Sequence, residues 1–259
     1  QHNTWDLGTN AVRFKDAYFE GNIKTNASSI ALGQNASAGS EAIAIGKGTA
    51  GVGDYSQAIG NNAGNTGQGV AAVALGSQSG ETSQGDKAVA VGQYAGKTSQ
   101  GTQSVAIGEK AGETTQSAVA VAIGTQAGMT TQGLRAIAIG LQAAEITQAQ
   151  DAIAIGSSAG YNNQGQSAIA IGAVAGNVNQ AARSIVISAS NVAVNNIIED
   201  SLVITPIRSA VGTTMLMYDA GTGEVTHTAS PVITGDITGS VFGDDSTLLV
   251  DGNNNKIVG

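Results

Sequence analysis

SVAIGEKAGETTQSAVAVAIGTQAGMTTQ, residues 104–132, contains one pattern twice. An aliphatic–Ala–aliphatic tripeptide ends on Gly108 and again on Gly124, a second glycine follows at Gly112 and Gly128, and a glutamine follows at Gln116 and Gln132. Read outward, the tripeptide and its glycine recur as IALG to Gly33, IAIG to Gly46, QAIG to Gly60, VALG to Gly76 and VAVG to Gly92. Toward the other end come IAIG to Gly140, Gly156 and Gly172, and the series closes on IVIS at Ser188. The steps are 13, 14, then eight in a row of 16 residues, a spacing that chance does not produce. The second glycine holds its phase at 64, 80, 96, 112, 128, 160 and 176, with Ala144 in its place once. The glutamine column runs without exception through Gln68, Gln84, Gln100, Gln116, Gln132, Gln148, Gln164 and Gln180.

A 16-residue unit is too short for a helix pair and carries no 3.6-residue apolar period. It contains one short strand rich in Ile and Val, a glycine turn, and a polar segment such as ETSQ, residues 81–84. These features predict an all-β fold over residues 28–188, a parallel β-solenoid with one coil per 16 residues. Stacked strands lie about 4.8 Å apart, so ten steps make a rod on the order of 48 Å long. The glutamines then stack as a structural amide ladder.

Side chains alternate along a strand. The Ile and Val of each tripeptide therefore share one face, and we expect them to fill the coil. The intervening residue points the other way, and it is Ala31, Ala44, Ala58, Ala74, Ala90, Ala106, Ala122, Ala138, Ala154 and Ala170. A solvated strand face would vary among polar residues. Ten consecutive alanines predict a close contact with another copy of the chain, with Ala74, Ala90, Ala106, Ala122, Ala138, Ala154 and Ala170 as the interface of a homo-oligomer. The residues just after each anchor glycine, such as Glu109 and Lys110 or Leu141 and Gln142, change freely and read as the exposed edge of the rod.

Composition agrees with a thin, layered fold. Of 259 residues 37 are Gly, only 12% are charged, and the nine aromatics include four in the first nineteen positions (Trp5, Phe14, Tyr18, Phe19). The net charge is −8, of which residues 189–259 supply −6 through eight acids and two bases. No basic patch exists, which argues against nucleic acid and anionic membrane as partners. No apolar run approaches the length of a membrane span, so membrane insertion is not expected. Cysteine is absent, which removes thiol chemistry and disulfides. The chain begins at Gln1 rather than Met and reads as a processed or trimmed piece.

IALGQNASAGSEAIAIG, residues 30–46, resembles the head repeat of trimeric autotransporter adhesins, the YadA-like heads. The resemblance covers residues 28–188 and implies a left-handed parallel β-roll intertwined as a homotrimeric fibre; the later coils are two residues longer than that repeat's usual 14. TWDLGTNAVRFKDAYFEGNIKT, residues 4–25, resembles a segment that precedes repetitive shafts in phage and virus fibre proteins. SLVITPIRSAVGTTMLMYDAGTGEVTHT, residues 201–228, is similar to segments that follow such shafts, and GDITGSVFGDDSTLLVDGNNNKIVG, residues 235–259, to a module of cyanophage structural proteins. With no coiled-coil stalk or membrane anchor read in these residues, a virion fibre is favoured over a bacterial surface adhesin. The expected organisation is an N-terminal cap or connector over 1–27, the shaft over 28–188, and a β-rich connector over 189–259.

Motifs of chemistry are weak. GKGTAG (Gly46, Gly48, Gly51) formally fits a dinucleotide loop, but the next segment is another repeat strand where a helix is required. GQYAGKT, residues 92–98, has three residues between its glycines where a phosphate loop needs four. His2 and His227 have no partners nearby in sequence, and Asp244, Asp245 and Asp251 lack the spacing of a calcium loop. No carboxylate recurs in phase with the repeat, so a tailspike-like glycosidase gains no support. The reading is a noncatalytic virion fibre without cofactor, extending rigidly and attaching to a host surface such as polysaccharide. Its partners would be its own copies and other virion proteins at its ends.

Overall fold

A computed structural model describes residues 28–49, 51–207, 215–218, 221–228, 240–242, 248–251 and 256–257. The chain divides into two units, Gln1–Ile207 and Arg208–Gly259. The first unit is a parallel β-solenoid. Twelve three- or four-residue strands, from Ile30–Leu32 to Leu202–Thr205, form one sheet whose order follows the chain. Each tripeptide pairs in register with its equivalent: Val105, Ala106 and Ile107 lie beside Val121, Ala122 and Ile123. Those in turn lie beside Ile137, Ala138 and Ile139.

The anchor glycine makes this stacking possible. Gly108 has φ +127°, and a Cβ there would sit 2.6 Å from the carbonyl oxygen of Gly124 in the next coil. No side chain fits between coils at that spacing, so the strand must end on glycine. The corner that follows is left-handed again, at Lys110 (φ +59°) and Gly112 (φ +54°).

The other wall of the coil, which carries Thr and Gln, is less regular. It forms a two-stranded sheet of Thr66–Gln68 with Thr82–Gln84 and a three-stranded sheet of Thr115–Gln116, Thr131–Gln132 and Thr147–Gln148. Single bridges such as Thr82 to Thr98 and Gln148 to Gln164 join the rest. The residue before the glutamine differs in conformation from coil to coil, and in Thr82–Gln84 the pairing is made by Thr82 and Gln84 on either side of it. Ser83, Ser99, Asn163 and Asn179 are left-handed, with φ between +52° and +58°. Thr115, Thr131 and Thr147 are β-branched, a class for which that conformation is an outlier, and they pair as strand instead.

Inside, the coil is narrow. Between Gly108 and Gly124 the buried side chains are Ala111, Gln116, Ala120 and Ala122, none more than 1% exposed. The same four columns recur along the rod, and the largest fully buried side chains are the glutamines together with Val186.

The sheet continues past the boundary expected at residue 188. Ile185–Ser188 pairs in register with Leu202–Thr205 across a coil one residue longer than the 16-residue coils before it. In that coil Val203 takes the alanine position and Asn196 the glutamine position, as the bond from the Ala181 amide to the Asn196 carbonyl shows at 2.8 Å. The repeat loses its signature residues there and its first corner takes a longer path, with Val194 rather than residue 191 bridging Ala175, before Asn196 and Val203 regain the glutamine and alanine positions; the motif series therefore stops before the solenoid does.

In the second unit, Met215–Tyr218 and Val225–Thr228 form an antiparallel hairpin. Ser240–Phe242, Leu248–Asp251 and Lys256–Ile257 form an antiparallel sheet with an irregularity between Val241 and Phe242. The aromatic segment 1–27, expected to cap the rod, lies outside the described residues.

Candidate functional site

The alanine column corrects an expectation. Ala74, Ala90, Ala106, Ala122, Ala138, Ala154 and Ala170 are 0% exposed within a single chain, so they cannot be its interface with another copy. They face the interior, where Ala90, Ala106, Ala122 and their successors meet a second buried column, Ala95, Ala111 and Ala127. The walls stand so close that only a methyl group fits between them. Constancy of a small residue reads the same for a tight interface and for a tight core, and here the core is the cause.

The Ile and Val pairs, expected inside, stand on the outer face. Ile59, Ile107, Ile155, Ile171 and Ile187 are exposed, and their partners across each buried alanine are half-buried or exposed. The outcome is two parallel columns from Ile30 and Leu32 to Leu202 and Ile204, apolar at every position except Gln57. Eleven steps of about 4.8 Å, with columns about 6.6 Å apart, give a stripe of roughly 50 by 10 Å, on the order of 500 Å². That is in the upper part of the range for the largest apolar patch on a monomer, about 300–600 Å².

Opposite the stripe, inside the coil, the glutamine amides form a continuous ladder from Gln84 to Gln180. Each Nε2 donates to the Oε1 of the glutamine in the next coil: Gln84 to Gln100 at 3.0 Å, Gln100 to Gln116 at 3.1 Å, Gln116 to Gln132 at 3.0 Å. Gln132, Gln148 and Gln164 continue it at 3.1, 3.0 and 3.1 Å. The same Nε2 also donates to the carbonyl of the stripe strand across the coil, as Gln116 does to Val105 at 2.8 Å. Each glutamine thus ties coil to coil and wall to wall. Gln68 occupies the column and reaches the Gln57 carbonyl at 2.9 Å, but it does not join the chain of amides; its Oε1 and that of Gln84 have no partner.

The corners carry isolated polar pairs. Arg135 binds Asp151 through two bonds of 2.7 and 2.9 Å, which hold the Asp151 carboxyl below its usual range, with a smaller contribution from the Gln150 amide. Arg183 grips Asp200 and Glu199, and the guanidinium lowers Asp200 in the same way. Gln78 donates to Glu81, Gln142 to Glu145, and Lys97 lies 5.0 Å from the Tyr94 ring. These pairs satisfy one another within a coil or between adjacent coils.

The loop-like motifs fall into solenoid corners: Gly46 and Gly48 bond back to the preceding coil at Leu32 and Gln34. The GQYAGKT segment is one corner and the start of the polar wall, with Gly96 bonded to the Ala111 carbonyl. His227 and Asp251 lie in strands of the second unit, whereas His2, Asp244 and Asp245 are outside the described residues. Among the described residues no group of three or more His, Cys, Asp or Glu is placed to hold a metal ion, and no helix is long and apolar enough to cross a membrane.

The feature that reasoning from sequence missed is therefore the direction of the stripe. A signal for it was present: from Gly60 on, alanine or serine also recurs three and twelve residues after each anchor glycine, as Ala111 and Ala120 do after Gly108, and four small or amide columns already fill the coil. Comparisons with family models, with curated proteins and with solved structures find no match to this chain.

Proposed function

We propose that this chain is the shaft of a noncatalytic homotrimeric fibre on a virion surface, a left-handed β-roll whose work is rigid extension and attachment to a host surface. The observation that carries the reading is the apolar stripe, continuous from Val73 and Leu75 to Leu202 and Ile204, along a rod whose interior is already full. A face of this size leaves about 25 cal/mol per Å² of unfavourable hydration in a lone chain, on the order of 10 kcal/mol in total. Association of parallel copies through the stripe removes it. The 16-residue register is equal in every copy, so each coil meets its own equivalent. Closed symmetry about a threefold axis hides three stripes at once and leaves no open edge.

Stiffness follows from the bonding. Every described coil is held to the next by the long sheet and by the corners, and those from Gln84 to Gln180 also by the buried amides. Three copies also present any weak surface site in triplicate, which raises avidity where contacts can form together. The resemblance of residues 4–25, 201–228 and 235–259 to virion fibre segments supports placement on a phage or virus particle.

Two measurements test the reading. Sedimentation of the purified chain should give three times the mass of one chain, and a stable folded monomer would overturn it. Incubation with host envelope polysaccharide should give retention without release of reducing ends; steady cleavage would overturn the noncatalytic assignment.

A further inference from the structure

The last coil differs from all others in where it exposes apolar surface. Among the described residues, no corner before Ser188 carries more than one exposed large aliphatic, for example Val70, Val119 or Leu141. In the coil from Ser188 to Thr205 the corners flanking the stripe carry Val192 on one side and Ile197 with Ile198 on the other. Ile197 is 76% and Ile198 67% exposed, well above any stripe residue, and Ile207 just beyond the sheet is 68% exposed. The apolar surface therefore widens from two columns to a band that turns both corners.

The segment that displays these side chains is held in place. Val178 N–H is capped by the Asn195 carboxamide at 2.9 Å, and the Ala181 amide bonds the Asn196 carbonyl at 2.8 Å. Asn196 is buried, with its Nδ2 donating to Ser201 Oγ at 2.8 Å and its Oδ1 accepting from the Ile198 amide at 3.2 Å. Arg183 in the coil before pairs with Glu199 and Asp200, so the two acids are bound back onto their own chain. The extra residue of this coil falls in the same corner, where Ile197, Ile198, Glu199 and Asp200 replace the usual three residues, Ala181, Ala182 and Arg183 in the coil before. An ordered corner that aims two isoleucines into water, next to an apolar stripe, needs a cover.

We propose that this coil is an inter-chain clasp, in which Ile197 and Ile198 of one copy cover Leu202, Ile204 and Ile207 of the neighbouring copy. The inference rests on association of copies through the stripe. The occupant is a second copy because the band is continuous with the stripe: Leu202 and Ile204 are its last members, and Ile198 stands four residues before Leu202. A flat stripe alone permits neighbouring chains to slide by one coil, since each coil repeats the last. A wide feature present once per chain fixes the register. The clasp thus sets which coil of one copy faces which coil of the next.

The test places a photoreactive benzoylphenylalanine at position 198 of the full chain. Irradiation should join two chains, with the attachment mapping to residues 190–207 of the other copy. Attachment within one chain, to the segment beyond Ile207, overturns the clasp, as does a trimer with no inter-chain product. A second variant, Ile197→Ser with Ile198→Ser, should keep the β-signal in circular dichroism while the trimer dissociates at about tenfold higher chain concentration or more. If that variant assembles as tightly as the parent, the clasp is wrong although the stripe reading stands. A parent chain that sediments as a monomer removes both.

Discussion

The two walls of each coil are built by the same backbone and stabilised by different means. The stripe wall is one unbroken twelve-stranded sheet, because its strands read aliphatic–Ala–aliphatic and end on a glycine that lets the next coil approach. The polar wall is divided into sheets of two and three strands and single bridges, and the coils joined by single bridges place Ser99, Asn163 and Asn179 in a left-handed conformation. Its backbone still bonds coil to coil, as Thr98 N–H does to the Glu113 carbonyl at 2.8 Å and Gly101 N–H to the Gln116 carbonyl at 2.7 Å, and the glutamine amides add a second ladder from the inside. One wall is ordered by its backbone ladder and the other by backbone bonds and buried side-chain amides together. The comparison teaches that a residue repeated without change need not be on show: both of the most constant columns, Ala and Gln, are interior.

The largest effect should come from reversing inside and outside at adjacent residues. Ala154 is fully buried and Ile155 is 38% exposed. Ala154→Leu should cost about 3 kcal/mol or more per chain, because overpacking here pushes apart walls that are hydrogen-bonded to their neighbours. Ile155→Ser should leave the fold of the coil intact and weaken assembly instead. Thermal unfolding and sedimentation of the two variants separate the effects, and equal behaviour of the pair would break the comparison. A smaller loss is expected on the polar wall. Gln116→Leu keeps the bulk but removes the bonds to Val105, Ala120 and both neighbouring glutamines. Groups left buried without partners make this a loss of about 2–3 kcal/mol in denaturant unfolding. No loss of stability would show that bulk alone fills the core.

The smallest effect, and the only gain, is expected at Ala144. It occupies the second glycine position at φ +49°, where the other coils have Gly. A left-handed conformation costs an L-residue roughly 1–2 kcal/mol relative to glycine, so Ala144→Gly should stabilise by about 1 kcal/mol. A drop in the melting temperature would mean that the Ala144 methyl contributes more to the core than its backbone strain costs.

How much of this was readable from sequence follows from the same physics. The 16-residue step, the parallel register and the glutamine ladder all depend on identity at fixed spacing, which a sequence displays directly. Inside and outside do not, because alternation assigns two faces without saying which is inner. The usual rule that large aliphatics are buried fails in a coil whose interior is one methyl wide and already holds Ala111, Ala120 and Gln116. The final coil escaped for the opposite reason: Val203 and Asn196 keep the backbone path of Ala and Gln but share no residue with the motif.

The ladder also gives the rod a direction. All six amide-to-amide bonds from Gln84 to Gln180 are donated the same way, toward the carboxyl-terminal coil, so their dipoles add head to tail and polarise one another. At the far end the series is tied off, since Gln180 donates to the carbonyls of Ile169 and Ser184. At the near end the Gln84 oxygen is buried and unmatched. A zipper fastened at one end and open at the other unravels from the open end. Heat or tension should therefore strip coils from the Gln68 side first, in a sequence that amide hydrogen exchange would record coil by coil.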